Sequence, residues 1–371
     1  MKVIVFYLPQ YHPIPENDKW WGNGFTDWTN VAKARPRFHG HYQPHMPADL
    51  GFYDLRIEET RIAQAEMAKQ YGIYGFCYYH YWFNGKMLLE RPFNEVLKTG
   101  KPDFPFCLCW ANENWTRRWD GQDNEILMKQ DYSSYDTSEH MSWLSSAFKD
   151  HRYIRINNKP IFLIYNAIQI PNIEKVIKMW RYEAKSKHGI ELYLCSVKST
   201  GTSSMSGESA IKAGFDAVVD FQPNPSLAIK DVWLNLLKNF PQKLFNKIES
   251  KLNIPGQALI NDTNIFNYET ILNKWIERSP VGYKEFPCVA PSWDNSARGK
   301  VCTIVQNDRP ELYGKWLEAA CNRVINNIDD ERIVFVNAWN EWGEGCHLEP
   351  DIKFGRKFLE ITYETLSRYR A

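Results

Sequence analysis

Short runs of apolar residues recur eight times along this chain of 371 residues. β-Branched and aromatic residues are frequent in these runs and their apolarity is nearly continuous, which is typical of parallel strands buried on both faces. The runs cover residues 3–8, 75–81, 104–110, 160–165, 191–197, 217–221, 287–291 and 333–339. We interpret them as eight buried strands.

Helix-like segments lie between the predicted strands. Clear examples cover residues 56–71, 173–188 and 311–327, and another covers residues 355–369 near the end of the chain. Eight alternating strand and helix units indicate a parallel α/β sheet and favour a closed (β/α)8 TIM barrel. The chain contains no GxGxxG turn after the first strand and no Walker-type loop, which disfavours an open nucleotide-binding sheet.

Two long excursions interrupt the regular alternation. Residues 13–55, after the first strand, hold several tryptophans and prolines and are predicted to form a long loop over the barrel mouth. Residues 222–286, between the sixth and seventh strands, contain two amphipathic helical patterns and are predicted to form a helical cap. No linker-like composition separates these parts, so residues 1–371 are expected to form a single domain.

The charge balance excludes several classes of partner. The 45 basic and 44 acidic residues give a net charge of +1, which creates no field for nucleic acid or for an anionic membrane. No apolar stretch approaches the roughly 18 residues of a membrane span, and the N-terminus has no signal-peptide pattern. The eight cysteines form no metal-type CxxC pair, so we expect reduced cysteines in a cytoplasmic protein.

Aromatic residues are unusually abundant, with 15 Trp, 20 Tyr and 20 Phe. Most large aromatic side chains belong to hydrophobic cores. A surplus of Trp and Tyr beside polar groups also suits a sugar site, because pyranose faces stack on rings while hydroxyl groups need directional partners.

The active site of a barrel lies at the C-terminal ends of its strands. Polar and aromatic residues at or just after each apolar run are therefore the candidates for binding an oligosaccharide or polysaccharide substrate. They are Tyr7, Gln10 and Tyr11 for the first strand, Tyr79, His80 and Tyr81 for the second, Trp110, Asn112, Glu113 and Trp115 for the third, Tyr165 for the fourth, Trp293 and Asp294 for the seventh, and Asn340 and Trp342 for the eighth.

Glu341 and Glu344 are the candidate catalytic pair. Glycoside cleavage needs one carboxylic acid for the leaving oxygen and a second carboxylate within about 5 to 9.5 Å. The flanking Trp339 and Trp342 would raise one carboxyl pKa by lowering the local dielectric. The structural alternative is that Glu341 pairs with an arginine while Glu344 caps a helix start.

Other residues offer competing chemistry. Glu113 follows the third strand, where it either anchors a loop or holds sugar hydroxyl groups, and Asp294 has the same two interpretations. His39, His41 and His45 with nearby Asp49 could bind a metal, but the neighbouring prolines and aromatics favour a packed loop. We therefore expect neither a metal nor a cofactor.

Three motifs of this chain resemble known carbohydrate-active families. The segment 339–345, WNEWGEG, continuing to Leu348-Glu349-Pro350, resembles the last-strand motif of glycoside hydrolase family 99. The segments 6–12, FYLPQYH, and 110–115, WANENW, resemble the related WbsX-type family, and this resemblance covers nearly the whole chain. That family belongs to bacterial O-antigen and capsule gene clusters and is often labelled glycosyltransferase.

The family 99 resemblance implies a (β/α)8 barrel that cleaves α-mannosides internally with retention. In the mechanism it implies, one Glu takes the proton of the sugar's own 2-hydroxyl, which attacks C1, and the other Glu protonates the leaving oxygen. By position, Glu341 would be the base, Glu344 the acid and Tyr7 an active-site tyrosine. The sequence departs from the hydrolase motif at Gly343, where a larger residue is usual, and at Cys346 and His347.

The glutamate pair and these resemblances together imply a retaining glycoside hydrolase or transglycosylase acting on α-linked mannose-like sugars of a bacterial polysaccharide. One alternative is a glycosyltransferase that uses a nucleotide sugar, although the nearest string to a DxD motif is Asp329-Asp330-Glu331. The other alternative is a carbohydrate-binding barrel without catalysis, against which the intact glutamate pair argues.

Overall fold

Eight parallel strands form the centre of the molecule. The computed structural model describes residues 1–38, 40–117, 122–132, 137–199, 204–227, 263–299 and 301–369. The eight strands are β1 (Lys2–Tyr7), β2 (Gly75–Phe83), β3 (Phe106–Trp110), β4 (Lys159–Ile164), β5 (Tyr193–Lys198), β6 (Ala217–Asp220), β7 (Glu285–Val289) and β8 (Ile333–Val336). Each coincides with one of the eight predicted runs.

The sheet closes on itself. β1 pairs in parallel with β2, where Ile4 is opposite Gly75, and also with β8, where Lys2 is opposite Ile333. The remaining strands pair in sequence order between these two neighbours. A closed barrel has no sheet edge, and its strand ends converge on one mouth. The predicted eight-stranded barrel is confirmed.

Helices surround the barrel, and the predicted ones are present within three residues at each end. In the described part of the chain the helices are α1 (Pro15–Trp21), α2 (Asp27–Lys33), α3 (Glu58–Gln70), α4 (Arg91–Thr99), α5 (Thr137–Phe148), α6 (Ile173–His188), α7 (Gly207–Ala213), α8 (Tyr268–Glu277), α9 (Pro310–Val324) and α10 (Lys357–Ser367). α6 ends at Gly189, whose φ of 69° suits a residue without a Cβ.

Aromatic rings fill the barrel interior. The Phe6 ring packs against Tyr79, Phe221 and Phe335, with ring centroids 5.2 to 5.6 Å apart. Successive side chains of a strand point to opposite faces, so the neighbour Tyr7 points outward to the helices. This alternation decides which of the predicted site residues reach the mouth.

The segment 13–55 differs from the predicted plain loop. It contains the short helices α1 and α2, and it buries Trp28, Tyr53 and Leu55 in the main core. The Trp28 indole donates to the Tyr53 carbonyl at 2.8 Å. Because these side chains are packed in the core, the segment is an ordered part of the structure beside the barrel mouth.

Part of the predicted cap, residues 228–262, lies outside the described residues. After it, the strand Thr263–Asn267 pairs in parallel with Cys302–Gln306, which pairs antiparallel with Trp293–Asp294. The helix that follows, α8, begins at Tyr268 and is capped by Asn267, whose side chain accepts from the Thr270 amide. α8 packs beside α9 on the barrel wall, as a regular barrel helix does.

Candidate active site

The segment after β8 places two glutamates together. Asn340–Glu341 pairs antiparallel with Cys346–His347, and a single 3-10 turn, Trp342–Glu344, joins them. Gly345 ends this turn with a φ of 53°, in the left-handed region that glycine adopts readily. The tight hairpin explains why both carboxylates face the same neighbour.

That neighbour is Arg298, from the loop after β7. Its Nη2 lies 2.9 Å from Oε2 of Glu341, and its Nη1 lies 2.7 Å from Oε1 of Glu344. Because both oxygens contact one guanidinium group, they lie no farther apart than the roughly 9.5 Å upper limit of glycosidase pairs. The structural alternative expected Glu341 to pair with an arginine. Arg298 is that arginine, and it binds Glu344 as well.

Asp27, at the start of α2, completes the cluster. Arg298 donates to both of its oxygens, from Nε at 3.2 Å and from Nη2 at 2.8 Å. The Asp27 side chain is fully buried, so this bidentate pair is shielded from solvent. A Cβ at Gly343 would lie 2.5 Å from Asp27 Oδ2 and 2.6 Å from Arg298 Nε, so the pair occupies the space that a side chain there would need.

The cluster holds three carboxyl groups around one guanidinium group. Burial, helped by the negative charges of Glu344 and Asp27, raises the pKa of Glu341 to about 8, although Arg298 acts to lower it. Burial alone would lower the pKa of Arg298, but the three carboxylates outweigh it and keep the guanidinium charged. Glu341 can therefore remain protonated near neutral pH.

Three tyrosines lie near the same carboxylates. Burial raises the pKa values of Tyr79, Tyr81 and Tyr165, and the negative charges of Glu341 and Glu344 add to each shift. Gln10 donates to the Tyr81 hydroxyl at 3.3 Å. These hydroxyl and amide groups, with the aromatic faces beside them, are suited to bind sugar hydroxyls.

Three predicted site residues do not reach the mouth. The Tyr7 hydroxyl donates to Gln64 on α3 at 2.6 Å, and the His80 ring stacks on Trp143 of α5 with centroids 4.5 Å apart. The Trp110 indole is fully buried and donates to the Trp82 carbonyl at 3.1 Å. The prediction for these residues was wrong because their strands turn them outward, while Phe6 and Tyr79 point inward.

Three others lie at the mouth but are buried supports of the motif. The Asn340 side chain accepts from the Leu8 amide at 2.8 Å and donates to the Leu8 carbonyl at 3.1 Å. The Tyr11 hydroxyl donates to the Asn340 carbonyl at 2.5 Å, and the Trp342 indole donates to the buried Glu349 carboxylate at 2.7 Å. Burial and these bonds leave them no polar group for a substrate, so their predicted binding role is replaced by a positioning role.

The residues after β3 form a second group. The Asn112 side chain donates to the backbone carbonyl of Asn166 at 2.8 Å. The side-chain amide of Asn166 in turn donates to Glu113 at 2.9 Å. Glu113 is exposed, and its charge contributes to the raised pKa of Tyr165. Trp115 packs on Tyr81, with ring centroids 5.2 Å apart. Glu113 and Trp115 thus remain candidates for substrate contact.

Asp294 and Trp293 border a cavity of about 650 Å³ next to the motif, which Gly345 also lines. Burial alone would raise the pKa of Asp294, but its 2.6 Å hydrogen bond with His41 lowers it. Gln43 also donates to Asp294, at 2.7 Å. Asp294 is therefore an anchored carboxylate, and Trp293 is the partly exposed ring beside it.

The described members of the histidine group considered from the sequence do not assemble around one ion. His41 is bound to Asp294, Asp49 pairs with Arg356, and His39 lies outside the described residues. Two residues of the site, Arg298 and Asp27, were not singled out as candidates. Arg298 lies four residues beyond Asp294, so a search extended past the seventh strand end would have reached it.

No helix in the described part of the chain is long and apolar enough to cross a membrane.

Solved glycoside hydrolases share this architecture. The GH99 endo-α-mannosidase from Bacteroides thetaiotaomicron gives a TM-score of 0.58 at 14% identity, covering 100% of this chain and 97% of that chain. A structure described as a glycoside hydrolase-like protein gives the same TM-score and identity over 98% and 93%. At this level of identity the likeness shows that the fold is glycoside hydrolase-like.

The chain belongs to the family described as Glycosyltransferase WbsX, whose model matches residues 3–362. The uncharacterized protein WxcX of Xanthomonas campestris pv. campestris is 37% identical over 373 residues, covering 99% of this chain and 50% of that protein. This chain therefore spans about half the length of the curated relatives that it matches.

Proposed function

We propose that this protein is a retaining glycoside hydrolase or transglycosylase acting on α-linked mannose-like sugars of a bacterial polysaccharide. The observation that carries the proposal is the convergence of Glu341 and Glu344 on Arg298. Two carboxyl groups so close together, one of them with a raised pKa, form the acid/base pair that glycoside cleavage needs. The glycoside hydrolase-like fold supports the same class of chemistry.

The proposed reaction has no protein nucleophile. Glu341 takes the proton of the 2-hydroxyl, O2 attacks C1, and the bond from C1 to the leaving oxygen breaks as Glu344 protonates that oxygen. In the second step, Glu344 deprotonates water or an acceptor hydroxyl as its oxygen attacks C1, the C1–O2 bond breaks, and Glu341 returns the proton to O2. The configuration at C1 is retained because it inverts twice.

The burial of Glu341 suits it to act as this base. A sugar hydroxyl is a weak acid, so a carboxylate of ordinary pKa accepts its proton poorly. A pKa of about 8 brings Glu341 closer to the pKa of the sugar hydroxyl and makes Glu341 a stronger base. Arg298 would hold both glutamates in position, and its charge would balance the site during each proton transfer.

The proposal is tested by hydrolysis of a panel of aryl α-glycosides with manno, rhamno and gluco configuration. The wild type is compared with Glu341→Gln, Glu344→Gln and the control Glu174→Gln, which changes an exposed glutamate in the first turn of α6. We expect the first two variants to lose at least about 10²-fold to 10⁴-fold in kcat/KM on an unactivated substrate, as general acid or base loss does. We expect Glu174→Gln to leave kcat/KM within about twofold of the wild type.

Leaving-group dependence separates the two roles. A dinitrophenyl leaving group needs no proton, so Glu344→Gln should recover much of its activity on that substrate. Glu341→Gln should not recover, since its defect lies in attack by O2. Release of aglycone at wild-type rates by both variants would contradict the proposal.

A second candidate is a nucleotide-sugar glycosyltransferase, which the description of the matching family favours. Such an enzyme would be stabilised by a nucleoside diphosphate in a thermal unfolding experiment, and a glycosidase would not be. No aglycone release from any aryl glycoside, together with nucleoside diphosphate stabilisation, would decide for the transferase.

A further inference from the structure

Three buried side chains with metal-ligand chemistry meet outside the glutamate site. His45 comes from the segment after β1, and His347 and Asp351 come from the segment after β8. One ligand atom from each residue lies within 4.8 Å of the other two, and each residue is less than 8% exposed. Buried polar groups of this kind need partners, since isolation from water is costly.

The hydrogen bonds orient the two imidazole rings. Nδ1 of His347 lies 3.0 Å from the Glu349 carbonyl oxygen, and only a protonated Nδ1 can donate to it. The lone pair of His347 is therefore on Nε2, which lies 3.0 Å from Nδ1 of His45. A ring nitrogen fixed in this way by a backbone carbonyl is the usual support of a metal-binding histidine.

The carboxylate of Asp351 is also oriented in advance. Its Oδ1 accepts from the Phe354 amide at 2.6 Å, and its backbone pairs with Pro47, two residues after His45. The nearby Lys353 ammonium pairs with Asp308 at 3.8 Å. His347 and Asp351 are thus oriented by their own loop before any ion arrives, and His45 is held against His347 by the 3.0 Å contact.

We propose that His45 Nδ1, His347 Nε2 and the Asp351 carboxylate together bind one divalent transition-metal cation of the zinc type. Two imidazoles and one carboxylate favour such an ion over calcium or magnesium, which prefer oxygen ligands alone. His45 also lines the cavity of about 650 Å³, which gives an ion a path to the site.

Such an ion would link two segments of the chain at the mouth of the barrel. The ion would join the segment after β1 to the hairpin that carries Glu341, since His347 is paired opposite Asn340 in that hairpin. The Trp342 ring also stacks on His347, with centroids 3.8 Å apart. This site holds the hairpin from outside the glutamate pair, and it does not depend on the proposed reaction.

The chain contains a matched control pair. His80 and His140 are also buried, with their Nε2 atoms 3.0 Å apart, but in the described part of the chain no acidic or cysteine ligand completes a group with them. A His80→Gln variant therefore removes a buried histidine pair without touching the proposed site.

The test is metal content and metal-dependent stability. Protein stripped with a chelator is dialysed against Zn²⁺, and bound zinc is measured by mass spectrometry for the wild type and for His45→Gln, Asp351→Asn and His80→Gln. We expect one zinc per chain and a higher Tm with zinc in the wild type and in His80→Gln. We expect at least about tenfold weaker binding in the other two variants.

The absorption spectrum of bound Co²⁺ gives a second measurement. Visible bands of a low-coordinate site should be present in the wild type and lost in Asp351→Asn, whose near-identical size protects the fold. A wild type that binds neither zinc nor cobalt would overturn the proposal. Zinc binding as strong in His45→Gln and Asp351→Asn as in the wild type would also overturn it.

Discussion

Arg298 donates to Glu341 at 2.9 Å, across 43 residues of chain and from a different loop of the barrel. The same guanidinium group contacts Glu344 and Asp27, so one arginine sets the charge balance of the whole cluster. Its side chain is only 12% exposed, and solvent therefore screens these contacts weakly. Several measurable consequences follow from this placement.

Replacing Arg298 should destabilise the protein. Arg298→Met leaves the fully buried Asp27 without its bidentate partner, and loss of one partner of a buried pair costs about 3 to 5 kcal/mol. Urea unfolding at pH 7 measures the loss. The double variant Asp27→Asn with Arg298→Met should recover part of it, because the unpaired charge of Asp27 is then removed as well. A double variant no more stable than the single one would contradict this account.

A methyl group at Gly343 should disturb the cluster. In Gly343→Ala the new Cβ would meet Asp27 and Arg298 well inside contact distance, so the ion pair must shift, at a cost of about 1 to 3 kcal/mol. Gly282→Ala is the matched control, because nothing lies within 4 Å of its added Cβ. Equal melting temperatures and equal hydrolysis rates for both variants would show that the close approach is unimportant.

The rate of the proposed reaction should rise with pH. If Glu341 is the base, its deprotonated form increases as the pH approaches its pKa of about 8, and kcat/KM follows. Measuring kcat/KM on one aryl glycoside from pH 5 to pH 9 gives the profile. A rate that falls through the same range would instead assign the acid role to Glu341.

Stability should change with pH in the opposite direction. The folded-state pKa of Glu341, about 8, lies above the unfolded value of about 4.3, so the folded protein holds the extra proton between those two values. The contribution to stability is therefore full below the unfolded pKa and is lost as the pH rises to about 8. This fall in the free energy of unfolding can reach about 1.4 kcal/mol per pH unit. Urea unfolding at pH 5 and pH 8 measures it, and we expect a smaller fall in Glu341→Gln than in the wild type.

Two adjacent tyrosines provide a test of which face of β2 meets the substrate. Tyr79 lies among the inward rings near both glutamates, while Tyr78 contacts Tyr7 and Phe93 on the outer face. We expect Tyr79→Phe to lower kcat/KM at least about tenfold by removing a hydroxyl that orients substrate. Tyr78→Phe should leave kcat/KM within about twofold, and equal losses in the two variants would argue against this assignment.

The barrel was predictable because its signal is local. Each strand is a continuous apolar run, and the helix Ile173–His188 was predicted with the bounds that the structure has. The glutamate pair was predictable for the same reason, since Glu341 and Glu344 lie within one turn after the last strand. Both inferences need only the order of residues along a short stretch of chain.

The facing of individual side chains was less predictable. Strands buried on both faces carry apolar residues throughout, so the sequence does not mark which alternate positions point inward. His80 and Tyr7 were therefore assigned to the mouth, although they contact α5 and α3. Only the packing of the helices against the barrel fixes that choice.

The sequence by itself thus determined the architecture, the strand ends and the glutamate hairpin. The tertiary structure alone decided what surrounds them: Arg298 meets Asp27 across 271 residues, and His45 meets His347 across 302. Such contacts leave no periodic or local trace in the chain. They arise because closing the barrel brings the segments after β1, β7 and β8 together, and the charges that meet there set the pKa values on which the proposed chemistry depends.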